Sequence, residues 1–537
     1  MIAGTRVSLK RFLAALLVTL ACLCEAAMGR ASARDDFNPA NATIEQLHAA
    51  LDSHRISSEQ LVRYYLRRIE RFDKQGPGIN ALITLNPNAL EEARRSDANR
   101  GDGRHGGFIE GIPFVAKDNY DTKGIATSGG SAALRRSMPA ANAFVLQRLL
   151  DAGAILIGKS NMSELAASYG RFGYSSAGGL TLNPYNTARD ASGSSSGSAA
   201  AIAADFAAFA LGTDTSGSIR GPAAVAGLVG LRPTLGLTSR SHVIPLSLTF
   251  DTTGALTRTV RDLAIVLDVI AGQDPQDAAT FAQPAIHPRY LAGLAAARPL
   301  DGVRLGVIGN FRGANPEVDG VEAAALKELE SQGAELIQVT LTKQFETLWN
   351  AILGPVGEAE FKPQLERYLQ TLPPGQPKTL GQLIDIDDSS AVRESATPVN
   401  PGRLKALREA DTTSLTDSPT FIRILTDLIP SVREQLKSLM AAQELEVFVF
   451  STIGCPATPR FDRADPSYLC NSADPYKASY VATAAGFPEI TVPAGTISAN
   501  MPVGISFMGP PYTEAQLLSI ANAFELARPR LPPAALH

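Results

Sequence analysis

Apolar runs of strand length, separated by stretches with helical periodicity, constrain this chain most. Residues 142–150 read as a helix, Gly153 stops it, and Ala154-Ile155-Leu156-Ile157 follows as a buried strand. The same alternation returns later. Val303 to Ile308 reads as a strand, Val321 to Leu329 as a helix closed by Gly333, and Leu336 to Leu341 as another strand. Val447 to Phe450, Ile490 to Val492 and Val503 to Met508 are further apolar runs of strand length, and Ile112 to Lys117 is a core strand that ends on a lysine. Two amphipathic helices come before these units. One spans Ile44 to Leu51; the other starts at Ser57, where Ser57-x-x-Gln60 forms a capping box, and carries Leu61, Tyr64, Leu66 and Ile69. Repeated strand–helix–strand units predict an α/β fold: one large domain with a mixed, mostly parallel central β-sheet and helices on both faces. The segment from about 345 to 440 lacks the strand pattern and is expected to be a helical cap or insert over the sheet. Pro373-Pro374-Gly375 and the polar stretch 387–403 are its expected loops, and the lone Trp349 is expected to serve packing.

The N-terminus reads as a leader rather than as fold. Arg6, Lys10 and Arg11 precede the apolar stretch Phe12 to Cys24, and small residues follow. A basic start, a short apolar middle and an Ala-x-Ala site predict a secretory signal over residues 1–33, cut near Ala26 or after Ala33, with the folded domain over 34–537. The stretch is well short of the roughly 20 apolar residues that span a bilayer, so no stable membrane insertion is expected. Cleavage after residue 33 would remove four positive charges (Arg6, Lys10, Arg11, Arg30) and one negative (Glu25), taking the net charge from −4 to −7. The exported product, periplasmic or secreted, would be mildly acidic, and no basic block points to nucleic acid. Cys22 and Cys24 would leave with the signal. Cys455 and Cys470 remain, either as a disulfide or as two buried thiols, and no His or Cys lies near them at metal-ligand spacing.

Two polar turns carry the chemistry: Ser192-Gly193-Ser194-Ser195-Ser196-Gly197-Ser198 and Gly212-Thr213-Asp214-Thr215-Ser216-Gly217-Ser218-Ile219-Arg220. An amide carbonyl is a poor electrophile, so its hydrolysis needs an activated nucleophile and donors for the oxyanion. Small residues around Ser218 let successive backbone N–H groups converge on one point. None of the six histidines falls in a nucleophile–base pattern. A lysine serves as base when burial favours its neutral form, and Lys117 closes an apolar run. Gly193-Ser194-Ser195-Ser196-Gly197 also satisfies G-x-S-x-G, but Arg189-Asp190-Ala191-Ser192 is not the buried strand a nucleophile elbow needs.

In this combination the chain resembles the amidase signature family. That family places a lysine at a V-x-K-D-N-like strand end, one serine in a G-S-S-G-G-S-like tract and another in a T-G-G-S-like turn. The resemblance implies a Ser–Ser–Lys triad with Lys117 as base, Ser194 as the middle serine and Ser218, 24 residues on, as nucleophile. It further implies a cis Gly193–Ser194 peptide, an oxyanion and substrate site lined by Thr215, Ser216, Gly217 and Ser218, and structural roles for Asp214 and Arg220. The likeness runs from about residue 41 to 530 and takes in Gly158-Lys159-Ser160-Asn161-Met162-Ser163-Glu164, Asn183-Pro184-Tyr185, Gly230-Leu231-Arg232-Pro233-Thr234 and Pro502-Val503-Gly504-Ile505-Ser506-Phe507. Two departures stand out. The serine-rich tract is similar to that of peptide amidases, and Ser216 replaces a glycine usual in the family. The expected activity is an amidase that needs no cofactor or metal and acts on the C-terminal amide of a peptide or a similar small amide. Alternatives are an aryl or fatty amide hydrolase, the amidotransferase component that works on glutamine with partner subunits, and a silent binding protein on the same fold.

Overall fold

The computed structural model describes residues 37–536, apart from 104–105, 285–288, 296–299 and 414. The predicted leader, with Cys22 and Cys24, lies outside the described residues. One sheet contains eleven strands: β1 (Leu82–Leu85), β2 (Pro113–Lys117), β3 (Ile155–Ser160), β4 (Phe209–Asp214), β5 (Val229–Arg232), β6 (Thr252–Thr257), β7 (Arg304–Ile308), β8 (Glu335–Val339), β9 (Val447–Ser451), β10 (Glu489–Ile497) and β11 (Met501–Met508). Their order across the sheet is β1-β3-β2-β4-β6-β5-β10-β11-β9-β7-β8.

The sheet is mixed, as expected, but it is not mostly parallel. Six of its ten neighbouring pairs run antiparallel and four parallel. The parallel pairs flank the sheet, where β2–helix–β3 and β7–helix–β8 units cross over. The centre is antiparallel because β4, β6 and β5 turn back on one another and β10–β11 is a hairpin. β4, β5 and β6 read Phe-Ala-Leu-Gly-Thr-Asp, Val-Gly-Leu-Arg and Thr-Thr-Gly-Ala-Leu-Thr, too rich in small residues to show a period.

Successive side chains of a strand point to opposite faces of the sheet, so a strand buried on both faces feeds two cores. On β9, Val447 and Val449 enter one core while Phe448 and Phe450 enter the other. The first core takes the helix Ser58–Phe72, opened by the Ser57/Gln60 capping box; it buries Leu61, Tyr65, Ile69 and Phe72. Each such side chain contributes about 1.5–3 kcal/mol on leaving water. The second core takes the helices Ile429–Ala442 and Ser479–Ala485.

Between β8 and β9 the described residues hold no strand. The helices Gly354–Thr371, Leu380–Asp387 and Pro401–Thr412 pack Phe361, Leu365, Leu369, Leu383 and Leu407 against Leu134, Leu165 and Ile244 of the sheet body. The polar stretch 387–403 is less of a loop than expected, since it holds a short helix, Ser390–Arg393, and the start of the next. Trp349 is 45% exposed, with its ring tilted against Tyr480. Cys455 and Cys470 form a disulfide, not a pair of free thiols.

Candidate active site

β2 is buried at every residue and lies between two parallel neighbours, β3 and β4. Ligands of such sheets gather at the carboxyl ends of the strands, and β2 ends on Lys117. β4 runs alongside and ends on Asp214, where the turn 215–219 begins. The serine tract enters from the other side and leads into the helix Ser196–Ala203. Gly197 in that helix touches the 161 backbone, since a β-carbon there would fall 2.4 Å from Asn161 N. Three distant segments thereby meet at one sheet end.

Lys117 is fully buried. Its Nζ lies 2.8 Å from Ser194 Oγ, 2.7 Å from Thr213 Oγ1 and 3.4 Å from Thr213 O. Burial pushes its pKa down to about 7, while the charges of Asp214 and Asp251 pull the other way. The Gly193–Ser194 peptide is cis. The tract and the turn are joined directly, for Ser195 N donates to Ser218 O at 3.1 Å. Ser218 is 8% exposed, and its hydroxyl makes no hydrogen bond to any described residue.

Asp214 shapes the turn. Its carboxylate accepts from Gly217 N at 2.9 Å, Ile219 N at 3.0 Å and the Arg220 guanidinium at 2.8 and 3.0 Å, and it pairs with Arg232 at 3.1 Å. Burial alone would raise its pKa, but Arg220 and Arg232 hold it well below the usual carboxylate range. Arg220 also pairs with the buried Glu489. Asp214 and Arg220 therefore sit in a scaffold beneath the turn.

The backbone amides expected to line the site are not equivalent. Gly217 N–H is committed to Asp214, while those of Ser216 and Ser218 make no hydrogen bond among the described residues. Gly217 has φ +114°, and a β-carbon there would come 2.6 Å from Ser479 Oγ, so the position admits only glycine. Thr215 Oγ1 donates to Asp251 Oδ1 at 2.5 Å, and Ser479 Oγ donates to Ser216 O at 3.0 Å.

Thr213, Asp251 and Ser479 belong to the site but escape a reading of the sequence. Thr213 lies inside the quoted Gly-Thr-Asp, and that position next to the turn is its only signal. Asp251 and Ser479 reach the site across the fold from segments without a pattern. A narrow recess beside the lysine is lined by Asn119, Ala166, Thr213, Thr215, Ile244 and Leu246. Among the described residues no three His, Cys, Asp or Glu side chains gather as a metal site, and no helix is long and apolar enough to cross a membrane.

The amidase family description matches residues 60–518. The chain is 36% identical to the peptide amidase of Stenotrophomonas maltophilia, whose crystal structure it matches with a TM-score of 0.82 over 92% of this chain and 98% of that one. It is 34% identical to the A-subunit of the glutamyl-tRNA(Gln) amidotransferase of Caldanaerobacter subterraneus over 493 residues, covering 90% of this chain and 96% of the relative. A probable amidase of Arabidopsis thaliana is 33% identical over 507 residues, 91% of each chain. With the family matched across most of its length and relatives of this identity aligned almost end to end, the chain belongs to the amidase family.

Proposed function

We propose that this amidase hydrolyses carboxamides through an acyl-Ser218 intermediate, with Ser194 and Lys117 relaying the proton. The observation that carries the reading is a buried lysine, 2.8 Å from Ser194 Oγ, with no carboxylate of the described residues in hydrogen-bond contact. A lysine whose neutral form is accessible near pH 7 can accept a proton from Ser194. Ser194 in turn takes the proton of Ser218 as Ser218 Oγ attacks the amide carbon. The amides of Ser216 and Ser218, which make no hydrogen bond among the described residues, hold the developing oxyanion. The relay then returns the proton to the leaving nitrogen, the C–N bond breaks, and water cleaves the acyl ester by the same path. Because Ser218 Oγ has no hydrogen-bond partner among the described residues, its contact with Ser194 is taken to form as substrate settles, as catalytic hydrogen bonds commonly do.

The substrate class best supported is the C-terminal amide of a peptide or a similar small amide, on the strength of the near end-to-end match with a peptide amidase. We assign residues 1–33 to an export signal. The Cys455–Cys470 disulfide fits an oxidising compartment.

Ser218→Ala should abolish turnover. Lys117→Ala should remove nearly all of it from a protein that still folds, as judged by circular dichroism. Full activity in either variant overturns the assignment. A panel of peptide amides, anilides and fatty amides decides the substrate, and greater turnover of the latter two would displace the peptide reading. The likeness to the amidotransferase A-subunit favours a second reading: glutaminase activity that appears only when partner proteins are added.

A further inference from the structure

Lys117 and Lys159 are both fully buried, and they lie on adjacent parallel strands. In the register of β2 and β3, Ala116 pairs with Lys159 and Lys117 with Ser160. Their surroundings differ in kind. Lys117 meets two hydroxyls, Ser194 and Thr213, which can turn to donate or accept, and a more distant carbonyl. Lys159 Nζ lies 2.7 Å from Tyr120 O, 2.8 Å from Thr127 Oγ1 and 3.3 Å from Asp118 Oδ1. A carbonyl only accepts. The Thr127 hydroxyl donates its proton to that same Tyr120 carbonyl, 3.1 Å away. The second oxygen of Asp118 accepts from Ser128 N at 3.0 Å and from Ser128 Oγ. The Tyr120 carbonyl and the Thr127 hydroxyl take two N–H bonds, and Asp118 Oδ1, which accepts no hydrogen bond among the described residues, faces the same nitrogen at ion-pair distance. Lys159 is therefore paired with the carboxylate of Asp118, the residue that follows Lys117 in the chain; burial pushes the Lys159 pKa down and the Asp118 pKa up, and the attraction within the pair opposes both.

We propose that Asp118 and Lys159 form a positioning pair for the Lys117 base: the pair fixes the strand end where β2 leaves the sheet and neutralises the Asp118 charge, so that Lys117 faces only neutral oxygens at hydrogen-bond distance. This inference rests on the reading of Lys117 as base. The other charged groups around the two lysines are accounted for. Asp214 and Asp251 act on Lys117 from the end of β4 and from the residue before β6. Asp214 is paired with Arg220 and Arg232, and Asp251 accepts from Thr215 and from Leu246 and Ser247 N. Asp121 acts on Lys159, and is itself held by Tyr368 Oη at 2.7 Å and His242 Nδ1 at 3.4 Å.

The experiment is the pH dependence of Ser218 labelling by a fluorophosphonate, measured as a second-order rate on the purified protein, with thermal unfolding to confirm the fold. Lys159→Met leaves the Asp118 charge unpaired near the base, which favours the Lys117 ammonium. The acid limb is expected to move up by about one pH unit. Asp118→Asn leaves Lys159 unpaired and moves the limb down by a similar amount. The double variant, with neither charge, returns it to within a few tenths of the wild-type position. Limbs that stay at the wild-type position in folded single variants, or that move in the same direction, overturn the proposal. If Lys159→Met does not fold, the downward shift in the nearly isosteric Asp118→Asn still decides. Lys117→Ala tests the base separately: undiminished labelling there overturns the base reading, whereas unmoved limbs in the other variants overturn only the pair.

Discussion

At Lys117 the fold keeps an amine out of water without placing a carboxylate against it, and this has a cost that can be read in stability as well as in rate. The unfolded lysine titrates near 10.5 and the folded one near 7. Between those values the unfolded chain binds more protons than the native one, so this residue makes stability rise with pH across that window. Lys117→Met removes the titration and should be more stable than wild type at pH 7, by about 4 kcal/mol less what the lost hydrogen bonds to Ser194 and Thr213 cost. The advantage should shrink steadily as pH approaches 10. Thermal unfolding of both proteins from pH 6 to 10 measures it, and a gap that widens with pH refutes the sign. On the proposed role of Lys117 as base, the same value places the rise of activity at about pH 7, since the amine must be neutral to accept a proton. Gly217 acts at the same scale through its backbone. Gly217→Ala forces an L side chain to φ +114° and against Ser479 Oγ, 2.6 Å away. Because the amides on either side belong to the proposed oxyanion site, steady-state assays should show turnover slowed by roughly two orders of magnitude or more.

The turn 215–219 works as a unit because one buried carboxylate collects its donors. Asp214→Asn keeps the shape but leaves Arg220 and Arg232 with a neutral partner, and breaking a buried pair of this kind costs about 3–5 kcal/mol. The variant should unfold at markedly lower temperature and lose most activity, even though Asp214 touches no reacting atom. Here too lies the boundary of what the amino-acid sequence discloses. The lysine-ended apolar run, the serine tract and the Thr215–Ser218 turn are contiguous motifs, so the resemblance they carry points to Lys117, Ser194 and Ser218 as the proposed triad. Three strands at the centre of the sheet cannot be read from the chain in this way. β4, β5 and β6 are short, small and uninterruptedly buried, and a fully buried strand shows no alternation to detect. Without them only the crossover units are visible, and these are parallel by construction, which is why the sequence points to a mostly parallel sheet. Thr213, Asp251 and Ser479 escape for the related reason that their partners lie across the fold and not along the chain.

At the scale of the whole molecule, the helices between β8 and β9 reach the site through polar contacts as well as apolar ones. Tyr368 Oη donates to Asp121 at 2.7 Å, and Ser131 Oγ donates to Asp387 at 2.9 Å. The most direct chain starts at Glu360 on the helix Gly354–Thr371. Its carboxylate accepts from Ser247 Oγ at 2.6 Å, Thr249 N at 3.1 Å and Thr249 Oγ1 at 2.5 Å. The same loop donates Leu246 N and Ser247 N to Asp251, at 2.8 and 3.0 Å, and Asp251 accepts the Thr215 hydroxyl that opens the turn. A helix remote in sequence therefore braces the turn through a single loop. Glu360→Ala removes three hydrogen bonds to a carboxylate at one end of this chain. Buried donors left without partners cost about 1–3 kcal/mol each, less whatever water regains, so the loop 246–249 should loosen. The expected result is faster amide hydrogen exchange at 246–251 and a fall of several-fold to tenfold in kcat/KM. Glu360→Gln, which still accepts at one oxygen, should restore part of both. Unchanged exchange in Glu360→Ala would show that the helices cover the sheet without bracing the turn.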